Sequence, residues 1–247
     1  MDHMLYVAMS GAKQMLLSQA INTNNLVNAN TPGFREDLAL FESRPITGSG
    51  LPTRVNVVSV QKGFNADPGP LVETGRDLDV AIEGEGWIAV QSPDGGESYT
   101  RAGNLRITSL GMLVTADGFP VLGNSGAPIA IPPAQKVEIG NDGSISVRPL
   151  GQTPQALAVI DRIKLVNPDI GSLYKGDDGK IRLKNGEAAV PDASVKLIKG
   201  SLEMSNVNAI DAMVNMIAIA RQYEMSVKLM NTAKENDVAA SQMLKLA

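Results

Sequence analysis

No cysteine occurs among the 247 residues, histidine occurs once, as His3, and aromatic side chains make up only 4% of the chain. Without thiols the protein is neither a disulfide scaffold nor a Cys-based zinc or redox protein. With one histidine, near a terminus, a Ser-His-Asp triad and a His-rich metal cluster are excluded. Scarce aromatics leave methionine and small aliphatics to do much of the packing. The longest apolar runs fall short of 18 residues, so no transmembrane helix is expected. Met1-Asp2-His3 lacks a basic leader and Lys13 interrupts the first apolar stretch, so a cleaved secretory signal is not expected either. A formal charge of −4 gives no general attraction to nucleic acid or anionic lipid, and neither is an expected partner.

The helix breakers are missing from both ends. All 14 prolines lie between Pro32 and Pro191, and every glycine except Gly11 lies between Gly33 and Gly200. Breakers are costly in helices and favoured in turns, so the chain divides into a helical start, a broken middle and a helical end. From about Met4 to Asn30, the residues Leu5, Ala8, Met9, Ala12, Leu16, Ala20, Thr23 and Val27 recur at helical spacing. Thr31 before proline is pushed to an extended conformation, and Pro32-Gly33 is type II turn chemistry that stops the helix. From about Ser205 to Ala247, the residues Ile210, Met213, Ile217, Ala220, Tyr223, Val227 and Met230 keep the same rhythm, with Ser205 or Asn206 as the expected N-cap. A helix of about 40 residues is about 60 Å long, and one apolar seam covers too little of it. Further cover is expected from the first helix and from other subunits.

The middle reads as strands separated by turns. Candidates are Leu78–Ile82, Trp87–Val90, Asn104–Thr108, Met112–Thr115, Val137–Ile139, Ser144–Val147, Ala156–Val166 and Ser194–Ile198, with turns at Asp94-Gly95, Asp117-Gly118, Asp142-Gly143 and Asp178-Gly179. The expected class is α+β: long N- and C-terminal helices (1–36 and 201–247) that pair as an assembly domain, an extended linker (37–69) and a β-rich domain (70–200). Gly84-Glu85-Gly86 lacks the third glycine and following helix of a dinucleotide site and reads as a tight turn, with Glu83 and Glu85 as solvated carboxylates. Asp177-Asp178-Gly179 lacks the ligand spacing of a calcium loop. No catalytic residue, metal site or cofactor is expected.

Four asparagines crowd Asn24–Asn30, and Asn22, Asn25 and Asn28 share one helical face. Two readings stay open: amides that set register at a helical seam, or residues that merely loosen a helix end.

"NNLVNANTPGFR" (Asn24–Arg35) resembles the N-terminal signature of the bacterial flagellar rod and hook proteins through Asn25, Leu26, Asn28, Thr31, Gly33, Phe34 and Arg35, with Val27 where alanine is usual. "GSLEMSNVNAIDAMVNMIAIARQYEMSVK" (Gly200–Lys228) is similar to the C-terminal signature at Leu202, Glu203, Ser205, Asn206, Val207, Met213, Ile217, Arg221 and Tyr223, among others. "LDVAIEGEGWIAV", "YTRAGNLRIT" and "GMLVTADGFPVLG" resemble the β-domain of the same family, with Trp87 where Phe is frequent. The resemblance implies a structural subunit of the flagellar basal-body rod, exported unfolded by the flagellar type III apparatus, without a cleaved signal, and assembled in the periplasm. It also implies that the terminal helices form a coiled-coil domain and the β-rich domain an outer layer. Implied partners are the other rod proteins and that export apparatus, with the signature residues as assembly contacts. The large middle and the short Asp37–Gly63 stretch favour a proximal rod subunit with a β-domain over a distal one. An unrelated alternative is a secreted β-domain that binds polysaccharide.

Overall fold

The computed structural model describes residues 3–45, 55–149 and 158–246. Helix α1 (His3–Val27) opens the chain and helix α2 (Ala209–Leu246) closes it, with β-structure between them. The class is therefore α+β, as the breaker distribution implies. The described residues divide into two compact units: residues 3–27, 37–45, 55–63 and 207–246 in the first, and 28–36, 64–149 and 158–206 in the second.

In the first unit α1 packs against α2, and Asn22 donates from Nδ2 to the Ala212 carbonyl at 2.7 Å. The buried positions are small or amide side chains: Ala12, Gln14 and Asn25 on α1, Ala212 and Ala233 on α2. Much of the expected apolar stripe remains uncovered by the chain, with Met9, Leu16, Val27, Ile210, Met213 and Ile217 all more than half exposed. The N-cap of α2 is Asn208, whose Oδ1 accepts from the Ile210 and Asp211 amides. Ser205 and Asn206, the expected caps, lie upstream of the helix because their side chains belong to the other unit. Helix α1 ends at Val27, three residues before the expected Asn30, and Asn28-Ala29-Asn30 form a turn. The span 37–69, expected as an extended linker, contains strands β1 (Asp37–Pro45) and β2 (Val55–Phe64), paired as a two-stranded sheet. Gly48, Gly50 and Pro52 of that span lie outside the described residues.

The second unit holds β3 (Leu71–Glu73), β4 (Val80–Glu83), β5 (Trp87–Gln91), β6 (Glu97–Thr100), β7 (Leu105–Ile107), β8 (Leu113–Thr115), β9 (Ala134–Ile139), β10 (Ser144–Pro149), β11 (Ala158–Arg162), β12 (Leu165–Val166), β13 (Leu173–Lys175), β14 (Ile181–Leu183), β15 (Lys196–Lys199) and β16 (Ser201–Glu203). A five-stranded sheet runs β12-β5-β6-β14-β13 and a three-stranded sheet β11-β10-β9, beside the pairs β4-β15, β3-β16 and β7-β8. The Asp-Gly signals at 94, 142 and 178 close the β5-β6, β9-β10 and β13-β14 hairpins, all antiparallel. The stretch 156–166, expected as one strand, is divided into β11, which pairs with β10, and β12, which pairs with β5, with Ile163 bridged to Gly123 between them; Ala156 and Leu157 lie outside the described residues. Gly84-Glu85-Gly86 joins strands of different sheets instead of closing a hairpin, while Glu83 and Glu85 are exposed as expected.

Strand β5 explains why "WIAV" is apolar at every position. Ile88 and Val90 enter a cluster with Val80, Leu105, Leu113, Ile145 and Ile163. Trp87 and Ala89 enter a second cluster with Tyr99, Val166, Leu173 and Ile181. Alternate side chains leave opposite faces of a strand, so a strand buried on both faces loses the polar half of its pattern. Burial pushes the Tyr99 phenol above its usual range, although its oxygen accepts the Ala189 amide at 2.9 Å.

In the β13-β14 hairpin, Asp178 accepts from both Arg182 Nη1 and Nη2, at 2.9 and 2.7 Å. Partial burial alone would raise its carboxyl, but the fork of Arg182 and the Lys180 amide outweigh that and hold it below the usual carboxylate range. A depressed carboxyl contributes stability above its unfolded value of about 3.9 and loses it as pH falls through the folded value. Asp178→Asn is expected to lower stability at pH 7 by about 0.5–1 kcal/mol. The gap should close in thermal melts as the pH falls through the folded value of Asp178, below which both proteins carry an uncharged side chain at 178.

Candidate functional site

The two signature segments meet within the second unit, and the chemistry there starts from the Thr-Pro-Gly stop. The Phe34 amide donates to the Thr31 carbonyl at 3.2 Å across Pro32-Gly33, and Gly33 has φ +71°. A Cβ on Gly33 would lie 2.1 Å from the Ala102 nitrogen and 2.3 Å from the Arg101 carbonyl carbon. Glycine is thus required twice, for the left-handed turn and for the close backbone approach. The Gly33 amide donates to the Glu203 carbonyl at 2.8 Å, which ties the turn to β16.

Two residues beyond that turn, Arg35 turns inward. Its Nη2 is 2.5 Å from Glu203 Oε1, and the two side chains are 1% and 0% exposed. Arg101 Nη1 reaches Glu203 Oε2 at 3.0 Å. The Gly69 amide completes the set by donating to Glu203 Oε1 at 2.8 Å. One buried carboxylate therefore serves two buried guanidiniums. Both cations also lie over the indole of Trp87, at 5.7 and 5.1 Å from the ring centroid, where the negative π-face offsets part of the excess positive charge. Burial lowers the pKa of Arg101 and Glu203 opposes the change. Breaking such a group by removing one member is costly, because the remaining charges stay buried.

Asn206 fastens the same place through its amide. Its Oδ1 accepts the Glu36 amide at 2.8 Å, and its Nδ2 donates to the Asn65 and Asp67 carbonyls at 3.1 and 3.0 Å. Phe34 lies half-buried under Lys175, whose Nζ is 3.9 Å from the ring centroid and donates to the Arg35 carbonyl at 2.7 Å. Gly33, Phe34, Glu203 and Asn206 are thus brought together, with Leu202 half-buried in β16 and Ser205 buried just beyond it.

The remaining signature residues lie elsewhere. Asn25, 4% exposed, accepts the Asp37 amide at 2.8 Å and donates to the Asp37 carbonyl at 2.9 Å within the first unit. That is the hydrogen-bond pattern of a strand partner, made by a side chain. Asn28 accepts the Thr31 hydroxyl at 3.1 Å in the turn, and Thr31 is exposed. Leu26, Val207 and Tyr223 are half-buried, while Met213, Ile217 and Arg221 are exposed on α2. Sequence reasoning missed Arg101, Gly69 and Asn65 as partners of the signatures. Arg101 carries only the faint signal of a charged residue between two apolar strands, and Gly69 and Asn65 act mainly through their backbones. Among the described residues no group of three or more metal-ligating side chains occurs, and no helix is long and apolar enough to cross a membrane.

A polar junction that joins the two ends of a β-rich body, with apolar helices beyond it, defines a structural scaffold. Comparison with known proteins specifies which. Residues 5–35 match the family "Flagella basal body rod protein", 81–147 the "Flagellar hook protein FlgE/F/G D1 domain", and 198–243 the "Flagellar basal body rod FlgEFG protein C-terminal". The flagellar basal-body rod protein FlgF of Salmonella typhimurium is 40% identical over 253 residues, covering all of both chains, and that of Escherichia coli matches equally. The rod protein FlgG of Bacillus subtilis is 33% identical over 94% of this chain and 95% of its own. The chain belongs to the flagellar basal-body rod protein family.

Gly33→Ala is expected to destabilise the second unit by more than about 2 kcal/mol, from left-handed strain plus the clash with Ala102. Gly75→Ala, at φ +70° but with open space around it, should cost only about 1–2 kcal/mol. Urea titrations followed by the emission of Trp87, the sole tryptophan, compare the two. Asn25→Leu removes the side chain that pairs Asp37 and should cost about 1–3 kcal/mol. Amide exchange at Asp37 should quicken while Ala89 in β5 stays protected.

Proposed function

We propose that this chain is a structural, non-catalytic subunit of the flagellar basal-body rod that polymerises through its terminal helices and transmits motor torque. One observation carries the mode of assembly: the apolar stripes of α1 and α2 are left uncovered by their own chain. Ile210, Val214, Ile217, Met225 and Met243 on α2 are 57–73% exposed, as are Tyr6, Met9, Leu16 and Val27 on α1 at 54–74%. Contiguous apolar surface of this kind marks an interaction face. In this reading α1 and α2 form a coiled-coil layer with neighbouring subunits, and Leu26, Val207, Met213, Ile217, Arg221 and Tyr223 face those neighbours.

The functional division follows as 1–36 and 201–247 for assembly, 37–69 as the connection, and 70–200 as the outer layer. Within it, 28–36 and 201–206 anchor the chain ends to the β-rich body, with Gly33, Phe34, Leu202, Glu203, Ser205 and Asn206 as anchor residues. Asn25, Asn28 and Thr31 shape the exit from α1. Full-length likeness at 40% to FlgF, against 33% to a FlgG, supports placement in the proximal rod. The proposed partners are the other rod proteins and the flagellar type III export apparatus, through which the chain is exported. A chain without cysteine suits that route, since no cross-link forms in transit.

The test is complementation of a strain lacking the gene, with purified basal bodies imaged by electron microscopy. Met213→Asp and Ile217→Asp should leave the melting of the β-rich body unchanged and yield truncated rods. Complete rods at wild-type frequency would overturn assembly through α2, and a complete rod in the deletion strain, lacking only its hook, would overturn the proximal placement.

A further inference from the structure

The second unit is assembled from pieces far apart in the chain, and three of them meet at Glu203. Residues 28–36 bring Gly33, Arg35 and Glu36; residues 65–70 bring Asn65, Asp67, Gly69 and Pro70; residues 200–206 bring Glu203, Met204 and Asn206. Each piece is held by the other two. The Gly33 amide donates to the Glu203 carbonyl, the Gly69 amide to the Glu203 carboxylate and the Met204 amide to the Pro70 carbonyl. The Asn206 amide bridges Glu36 to Asn65 and Asp67, and the Asn65 amide donates to the Glu36 carbonyl at 2.8 Å. The seats have no slack, since a Cβ on Gly69 would lie 2.1 Å from the Met204 oxygen.

The main apolar core does not need these pieces. Its buried members run from Val80 to Leu197, and none belongs to the three segments. The ion cluster therefore sits outside that core, against Trp87 of the second apolar cluster, and it ties the three segments to one another and, through Arg101, to the β-rich body. Arg35 and Arg101 have one carboxylate between them, so withdrawing 200–206 strands two buried cations, and withdrawing 28–36 removes the shorter of the two ion pairs at Glu203.

We propose that Arg35, Arg101 and Glu203 form a three-way latch, by which residues 28–36, 65–70 and 200–206 dock onto a preformed β core as one cooperative unit. The segment nearest the start of the chain is held only once the segment after residue 200 is in place. The outer body closes last at the point where both chain ends enter it. This coupling is independent of what the protein assembles with.

Native-state hydrogen exchange on the full-length protein tests it. Glu203→Gln is expected to raise exchange at Gly33, Glu36 and Gly69 together by at least about tenfold, while the core amides of Ala89 and Leu113 are unchanged. Arg35→Lys keeps the charge but loses the planar fork. It should raise exchange at Gly69 and Met204, which Arg35 does not bond, by the same factor as at Gly33, and shift Trp87 emission to the red. Should Glu203→Gln fail to fold, Arg35→Lys asks the same question alone. Faster exchange confined to 33–36 in Arg35→Lys would mean independent docking and overturn the latch. Faster exchange at Ala89 and Leu113 by the same factor would make the cluster an ordinary part of global folding and also overturn it.

Discussion

One buried carboxylate, that of Glu203, is shared by two buried guanidiniums. Every other feature of the junction serves that arrangement. The Gly69 amide fills the remaining hydrogen-bonding capacity of Oε1, and Trp87 offers its π-face to the surplus positive charge. Phe64 meets the edge of the same indole, with ring centroids 6.1 Å apart. A buried charge group of this kind is a poor source of net stability, since desolvation offsets most of the attraction. Its value lies in geometry: Glu203 meets Arg35, Arg101 and the Gly69 amide only when all three backbone segments are in place. The glycines at 33 and 69 are consequences, because backbones that must approach this closely leave no room for a Cβ.

The β-rich body around this junction is built on different physics. Its two apolar clusters share β5 and are separated by the alternation of that strand's side chains. Short strands, tight Asp-Gly turns and several small sheets replace one large sheet, and the body is closed by non-local pairing. Strand β4 waits for β15 and β3 for β16, more than a hundred residues later. Loop closure over such distances is slow to reward, which sets this body apart from the helices in folding order as well as in composition.

The helices carry the opposite imbalance. Their fully buried positions are alanines and amides, while several larger apolar side chains, Met9, Leu16, Ile210 and Ile217 among them, are more than half exposed. Small residues let two helices approach closely but bury little area, so the pair by itself gains little of the hydrophobic free energy its sequence contains. A sequence that keeps methionine, isoleucine and leucine at exposed helical positions over such a length is adapted to a crowded surrounding. Membership of the flagellar basal-body rod family supplies the kind of surrounding.

Local rules were enough to place the Pro32-Gly33 turn, the Asp-Gly hairpins, the α+β class and most strands of the middle, because each depends on neighbours a few residues apart. The signature residues were legible as a set but not in their roles. Glu203 and Asn206 look like surface polar residues in sequence and prove to be the fasteners of the junction. Asn25, open between a seam role and a loosened helix end, instead pairs the backbone of Asp37. Strands β1, β2, β3, β6, β13, β14 and β16 were not legible either, since each is held by the hydrogen-bonding groups that a partner strand presents to it. The sequence by itself determined where the chain must turn, where it stays helical and how much apolar surface it carries. Only the tertiary structure decided which charge meets which, because burial of Arg35, Arg101 and Glu203 depends on segments up to 168 residues apart arriving at one point.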